Sequence, residues 1–152
     1  MGIKVRTEIS DEYKKTEVII ISNKLTKEIQ DVINMIQNLD TYLSKIIVSK
    51  DNDMFIFNIE EIICFYSEGK KNYCRTNNGT FKVKEALYQL EEKLPPNKFI
   101  RISNSCIINI EHVECFNTGI VGTIMVRFKD GNIEYVSRRR ASKVMQQLKG
   151  GI

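Results

Sequence analysis

The chain has 152 residues, 42% hydrophobic and 28% charged, which is enough for one domain with a real core and excludes both two large domains and a disordered chain. No run approaches the roughly 18 apolar residues of a membrane span, and charges recurring from Lys4 through Glu17 interrupt any secretory core, so a cytoplasmic location is expected. The net charge of +4 is uneven: residues 1–96 carry 14 Lys or Arg against 15 Asp or Glu, while residues 97–152 carry 9 against 4, which points to a polyanionic partner for the last third.

Ile3–Ile9 alternates apolar and polar residues and predicts a strand with one solvated face. Glu17–Ser22, with Val18, Ile19, Ile20 and Ile21 in a row, predicts a second, better buried strand. Leu25, Ile29, Val32, Ile33 and Ile36 then recur at helical spacing between Ser22 and Leu39, with Asn23 as the N-cap. Residues 1–43 are therefore expected to form a β-β-α leader. Its apolar helix packs either on its own domain or on a second copy, and the residues leave both open.

Ser44–Ser49, Phe55–Asn58 and Ile62–Tyr66 read as short strands, and the polar stretch Glu68–Asn72 as a loop. Tyr73–Thr76 leads into Asn77-Asn78-Gly79, whose Asn-Gly step signals a hairpin returning through Thr80–Val83. Lys84–Leu94 is a helical segment stopped by Pro95-Pro96. Phe99–Ile102, Cys106–Ile110, Val113–Phe116, Ile124–Phe128 and Ile133–Val136 are strand-like, the last two joined by an Asp130-Gly131 turn. Ser137 is placed to cap a final short helix holding Val144 and Leu148. So many short strands without crossover helices predict a mainly β domain, α+β overall, built from antiparallel sheets with a short helix.

No catalytic constellation is visible: there is no nucleophile elbow, no HExxH and no GxxxxGK. His112 beside the run Ile107–Ile110 reads as structural or surface-exposed. Cys64, Cys74, Cys106 and Cys115 form no CxxC pair and read as small buried hydrophobes. Glu60-Glu61 and Glu91-Glu92 point apart in pairs and read as solvated charge. The chain is therefore not expected to be an enzyme, and neither a cofactor, a metal nor a small-molecule substrate is expected.

Three polar clusters carry the binding chemistry. Arg138-Arg139-Arg140 follows a strand directly, and its guanidinium forks suit phosphates and guanine edges. Arg101 with Ser103-Asn104-Ser105 lies between two apolar strands, where an Asn side chain suits adenine. Lys70-Lys71-Asn72 follows Gly69. The clusters form one DNA surface only if the fold brings them to one edge, which periodicity does not decide.

The order of these residues resembles a known family. Phe99-Ile100-Arg101-Ile102-Ser103-Asn104-Ser105-Cys106-Ile107-Ile108-Asn109 is similar to the central segment of the LytTR DNA-binding domain of bacterial transcriptional regulators. Gly122, Asp130-Gly131 and Val136-Ser137-Arg138-Arg139 follow it in order, and Tyr66 to Tyr73, Phe81, Leu87, Leu90-Glu91 and Leu94 fit the upstream part. The resemblance covers residues 44–149. It implies an elongated domain of small antiparallel sheets that reads duplex promoter DNA through inter-strand loops, often as two protomers. It assigns Asn104, Arg139 and the position near Lys71 or Asn72 as contacts, Arg138 as a phosphate or bracing contact, and Arg101 as partly structural, with Lys70, Ser103 and Arg140 as auxiliary. Only a short leader precedes the domain, so the resemblance is to members without a receiver domain. Double-stranded promoter DNA, a homodimer on that DNA and a membrane-protein partner are the expected partners. The alternative is a protein-interaction module of a signalling pathway without DNA readout. RNA stacking on Tyr66, Tyr73 and Phe81 is a further reading.

Overall fold

The structure, a computed structural model, describes residues 4–39 and 42–150. These fall into two compact units, one ending at Gln37 and the other beginning at Asn38.

In the first unit the two expected strands are not formed, and Ile3 lies outside the described residues. Val18, Ile19 and Ile21 are 58%, 76% and 93% exposed. A β-rich run becomes a strand only when a neighbour takes its backbone bonds and a layer covers one face, and neither is present here. The expected helix is α1, Lys27–Gln37, shorter than its apolar pattern. Asn23 does not cap it. Thr26 does, its Oγ1 accepting from the Ile29 amide at 3.3 Å, while its carbonyl takes the first helical bond, from Gln30, at 3.0 Å. Ser22 instead closes a local turn on Lys24. None of the residues of α1 is buried.

The second unit is mainly β. Its strands are β1 (Lys45–Lys50), β2 (Asp53–Asn58), β3 (Ile62–Glu68), β4 (Lys71–Thr76), β5 (Gly79–Val83), β6 (Phe99–Ser103), β7 (Cys106–Asn109), β8 (Val113–Asn117), β9 (Ile124–Phe128) and β10 (Ile133–Val136). Helix α2 (Leu87–Lys93) lies between β5 and β6, and α3 (Arg138–Gly150) follows β10. The larger sheet runs β2-β1-β5-β4-β3-β7-β6 and the smaller β10-β9-β8, antiparallel throughout.

Period-2 alternation along β3, β6 and β7 serves two cores. Phe65, Phe99 and Ile107 pack with Leu87, Leu90 and Leu94 of the α2 segment. Cys64, Ile100, Ile102, Cys106 and Ile108 pack with Ile124, Val126 and Phe128 of the smaller sheet and Val144 of α3. The central strands are thus covered on both faces, which is why they read as near-continuous apolar runs.

Two turns differ from their expected form. Glu68–Asn72 is not a loop: Gly69, at φ +63, lets β3 and β4 close through Gly69-Lys70 alone, so Lys71 and Asn72 stand on β4. The β4–β5 hairpin turns at Asn77-Asn78, with Gly79 (φ +127) paired to Thr76 as the first residue of the return strand. Asn109 is wholly buried yet satisfied. It donates to the Ile62 carbonyl at 2.8 Å and accepts from the Glu111 amide at 3.1 Å, tying β7 to the start of β3.

Candidate nucleic-acid interface

Register places the three polar clusters at one end of the larger sheet. Tyr66 pairs with Cys106 and Asn72 with Val83, so the β3–β4 turn, the β6–β7 turn and the end of β5 lie side by side. The Ser67 amide donates to the Ser105 carbonyl at 2.9 Å, joining the first two turns directly. The Ser137 amide donates to the Ile102 carbonyl at 2.8 Å, which brings the start of α3 beside the end of β6.

At that end the side chains divide into free and engaged groups. Lys70, Lys71, Asn104, Arg138 and Arg139 are exposed. The four cations among them make no ion pair among the described residues. Arg101 is engaged three ways: its Nη1 donates to Glu91 Oε2 at 2.8 Å, its Nε to the Ser103 carbonyl at 3.1 Å and its Nη2 to the Asn104 carbonyl at 2.8 Å. It braces the turn that presents Asn104. Ser103 Oγ accepts from the Ser105 amide at 3.2 Å and braces the same turn. Asn72 is also occupied, accepting from Ser67 Oγ and donating from Nδ2 to the Glu85 carbonyl. Arg140 Nη1 lies 3.8 Å from Glu91 Oε1.

Sequence reasoning missed two residues at this end. Lys84 is exposed just past β5, next to the β4 strand that carries Lys71. Glu91, taken as solvated charge, holds both Arg101 and Arg140. A signal for Glu91 was its place on the same helical face as Leu87, Leu90 and Leu94.

The first turn of α3 contains three arginines and no acid. Cations there oppose the positive end of the helix dipole, and a bound anion would relieve the conflict.

The opposite end of the sheet is different. Arg75 pairs with Asp130 and lies 4.9 Å over the Phe128 ring. Burial opposes the Asp130 carboxylate, but hydrogen bonds from Asn132 and the Arg75 charge outweigh it and hold the carboxyl below its ordinary value. Lys98 lies near Glu60 and Glu111, at 3.4 and 3.9 Å. Glu61 accepts from the Asn58 amide at 2.8 Å, so the Glu60-Glu61 pair is also more than solvated charge. His112 lies 2.7 Å from the Glu60 carbonyl, a structural role.

Cys64, Cys74 and Cys106 are buried, and burial pushes the Cys74 thiol up to about 12; Cys115 is only half-buried. Among the described residues no group of three or more His, Cys, Asp or Glu is gathered for a metal. No described helix is long and apolar enough to cross a membrane. Phe81 is buried and Tyr66 stacks on Tyr73 at 5.5 Å, so these rings are spent on each other and the core rather than forming an open stacking platform.

A family model for the LytTr DNA-binding domain matches residues 52–149. An uncharacterized HTH-type transcriptional regulator of Staphylococcus aureus strain MSSA476 is 34% identical over 138 residues, 89% of this chain and 92% of its own. Another, from strain NCTC 8325 / PS 47, is 31% identical over 147 residues, 96% and 98% of the two chains. A solved LytTr DNA-binding domain from Bacillus cereus superposes with a TM-score of 0.68 at 22% identity, covering 70% of this chain and 98% of that one, a likeness of fold.

Proposed function

This chain belongs to the LytTr DNA-binding domain family, and on that premise we propose that it is a sequence-specific transcriptional regulator that reads duplex promoter DNA through inter-strand turns and the first turn of α3. The observation that carries this reading is the meeting, at one end of one sheet, of the Asn104 turn, Lys70 and Lys71, and the unpaired Arg138 and Arg139. A helix-turn-helix reading, suggested by the names of the relatives, finds no support in the element order. Helices α2 and α3 are separated by five strands, β6 to β10.

In this reading Asn104 and Arg139 contact base edges, and Arg138, Lys70, Lys71 and Lys84 contact phosphates. Arg101, Ser103 and Asn72 hold the turns, and Arg140 adds charge from its place beside Glu91. Residues 44–149 act as the DNA-binding domain and residues 1–43 as a leader. The protein acts in the cytoplasm as a homodimer on DNA and works with a membrane-protein partner. The dimer reading is supported by α1, which has an apolar face, no buried residue, and Met35 52% exposed.

Selection of bound fragments from the native genome, with Arg139→Ala as control, tests the reading. The unaltered protein is expected to enrich a discrete set of duplexes that the variant does not. Equal binding of selected and scrambled duplexes at physiological salt would reject sequence-specific recognition. Loss of all duplex binding with retention of a protein partner would favour the interaction-module alternative.

A further inference from the structure

Glu91 is an acid at the end of the molecule proposed to meet a polyanion. Its Oε2 accepts from Arg101 Nη1 at 2.8 Å, and its Oε1 lies 3.8 Å from Arg140 Nη1. Arg101 uses its remaining donors on the carbonyls of Ser103 and Asn104. Arg140 belongs to the first turn of α3, directly after Arg138 and Arg139. One carboxylate therefore joins the turn that carries Asn104 to the helical turn that carries the free arginines. It does so from α2, whose Leu87 and Leu90 are anchored in the core. The pair is partly shielded, with the Arg101 side chain 14% and the Glu91 side chain 37% exposed.

Base readout demands placement to roughly 0.5 Å, and a two-residue turn has little stiffness of its own. We propose that Glu91 is a positioning residue that locks the Asn104 turn and the first turn of α3 into one register for duplex DNA. The proposal rests on the DNA-binding reading above and adds a residue that does not touch DNA. Its sign is distinctive. As mere charge, Glu91 repels phosphate, and removing it would tighten binding to every duplex alike. As a positioning residue, its removal weakens only the discriminating contacts.

The test uses the full chain and two probes: the tightest duplex recovered by genomic selection with the unaltered protein, and a scramble of the same base composition. Glu91→Ala is expected to lower the ratio of selected to scrambled affinity about tenfold, the scale of one base contact. Scramble affinity holds or rises about threefold as Arg140 is released and a negative charge is lost. Glu91→Gln keeps an oxygen for Arg101 and is expected to lower the ratio less, about threefold. A ratio unchanged in both variants would overturn the proposal. So would a parallel loss on both probes with a lower Tm, which marks a merely structural role. If the unaltered protein fails to separate the two probes, the DNA reading itself fails, visibly and before any variant is made, and the proposal falls with it.

Discussion

At the end of the larger sheet that holds the Asn77-Asn78 and Lys129–Asn132 turns, basic side chains are matched to acids, Lys129 apart. Arg75 meets Asp130, and Lys98 lies beside Glu60 and Glu111. At the other end Lys70, Lys71, Arg138 and Arg139 are exposed and unmatched among the described residues, and the one acid that intervenes, Glu91, holds Arg101 and Arg140. A matched end is neutral and contributes mainly to holding the fold. An unmatched cluster at the positive pole of a helix carries a repulsion that only an anion removes. The difference separates residues for stability from residues for binding within one sheet.

The largest expected effect tests the unmatched end. Arg138→Ala with Arg139→Ala should reduce affinity for a selected duplex by about a hundredfold or more at physiological salt. It should also flatten the plot of log K against log salt by about two units. Binding isotherms over a salt series measure both. The same pair of changes should leave the melting temperature no lower.

Next comes the matched end. Asn109→Ala removes two buried hydrogen bonds and leaves the Ile62 carbonyl and the Glu111 amide without their partner. A loss of about 2–3 kcal/mol is expected in urea unfolding. DNA affinity of the folded fraction should not change. A selective loss of DNA binding there would break the division between the two ends.

A smaller effect has the opposite sign. Arg138→Glu with Arg139→Glu places acids at the N-terminal turn of α3 and should stabilise the fold by about 1 kcal/mol while abolishing DNA binding. Calorimetry would show a rise of a few degrees. A fall would mean that the arginines serve the free protein rather than the complex.

The smallest effect concerns acid. The Asp130 carboxyl is held below its ordinary value in the fold. Its contribution to stability is therefore present above the unfolded pKa, roughly 3.9, and is lost as pH falls from there through the folded value. Asp130→Asn should remove that part of the acid-limb slope, measured as unfolding free energy against pH, with DNA affinity at neutral pH unchanged.

Much of this division was legible in the chain. The strand runs from Ser44 onward, the Asp130-Gly131 turn and the helix beginning after Ser137 follow local rules, and they survive because each pattern agrees with its burial. The leader strands failed because Val18–Ile21 satisfies the strand pattern without a partner, and no periodicity supplies one. Asn72 and Asn109 illustrate a second limit. Both are polar residues near turns in sequence, yet one is fixed by the Glu85 carbonyl and the other by the Ile62 carbonyl, across 13 and 47 residues. The three polar clusters were each visible, but their meeting depends on register between β3 and β7 and on the Ser137–Ile102 bond, which are long-range facts. Glu91 was misread for the same reason, since its partners lie on β6 and α3.

The most direct test is a backbone amide NMR titration of the protein with a selected duplex. Shifts should concentrate at residues 67–72, 84, 101–105 and 137–140 and leave residues 75–79, 110–112 and 129–132 unmoved. Shifts centred on the Asn77-Asn78 and Lys129–Asn132 turns, with the Asn104 turn and the start of α3 unchanged, would contradict the assignment of binding to the unmatched end.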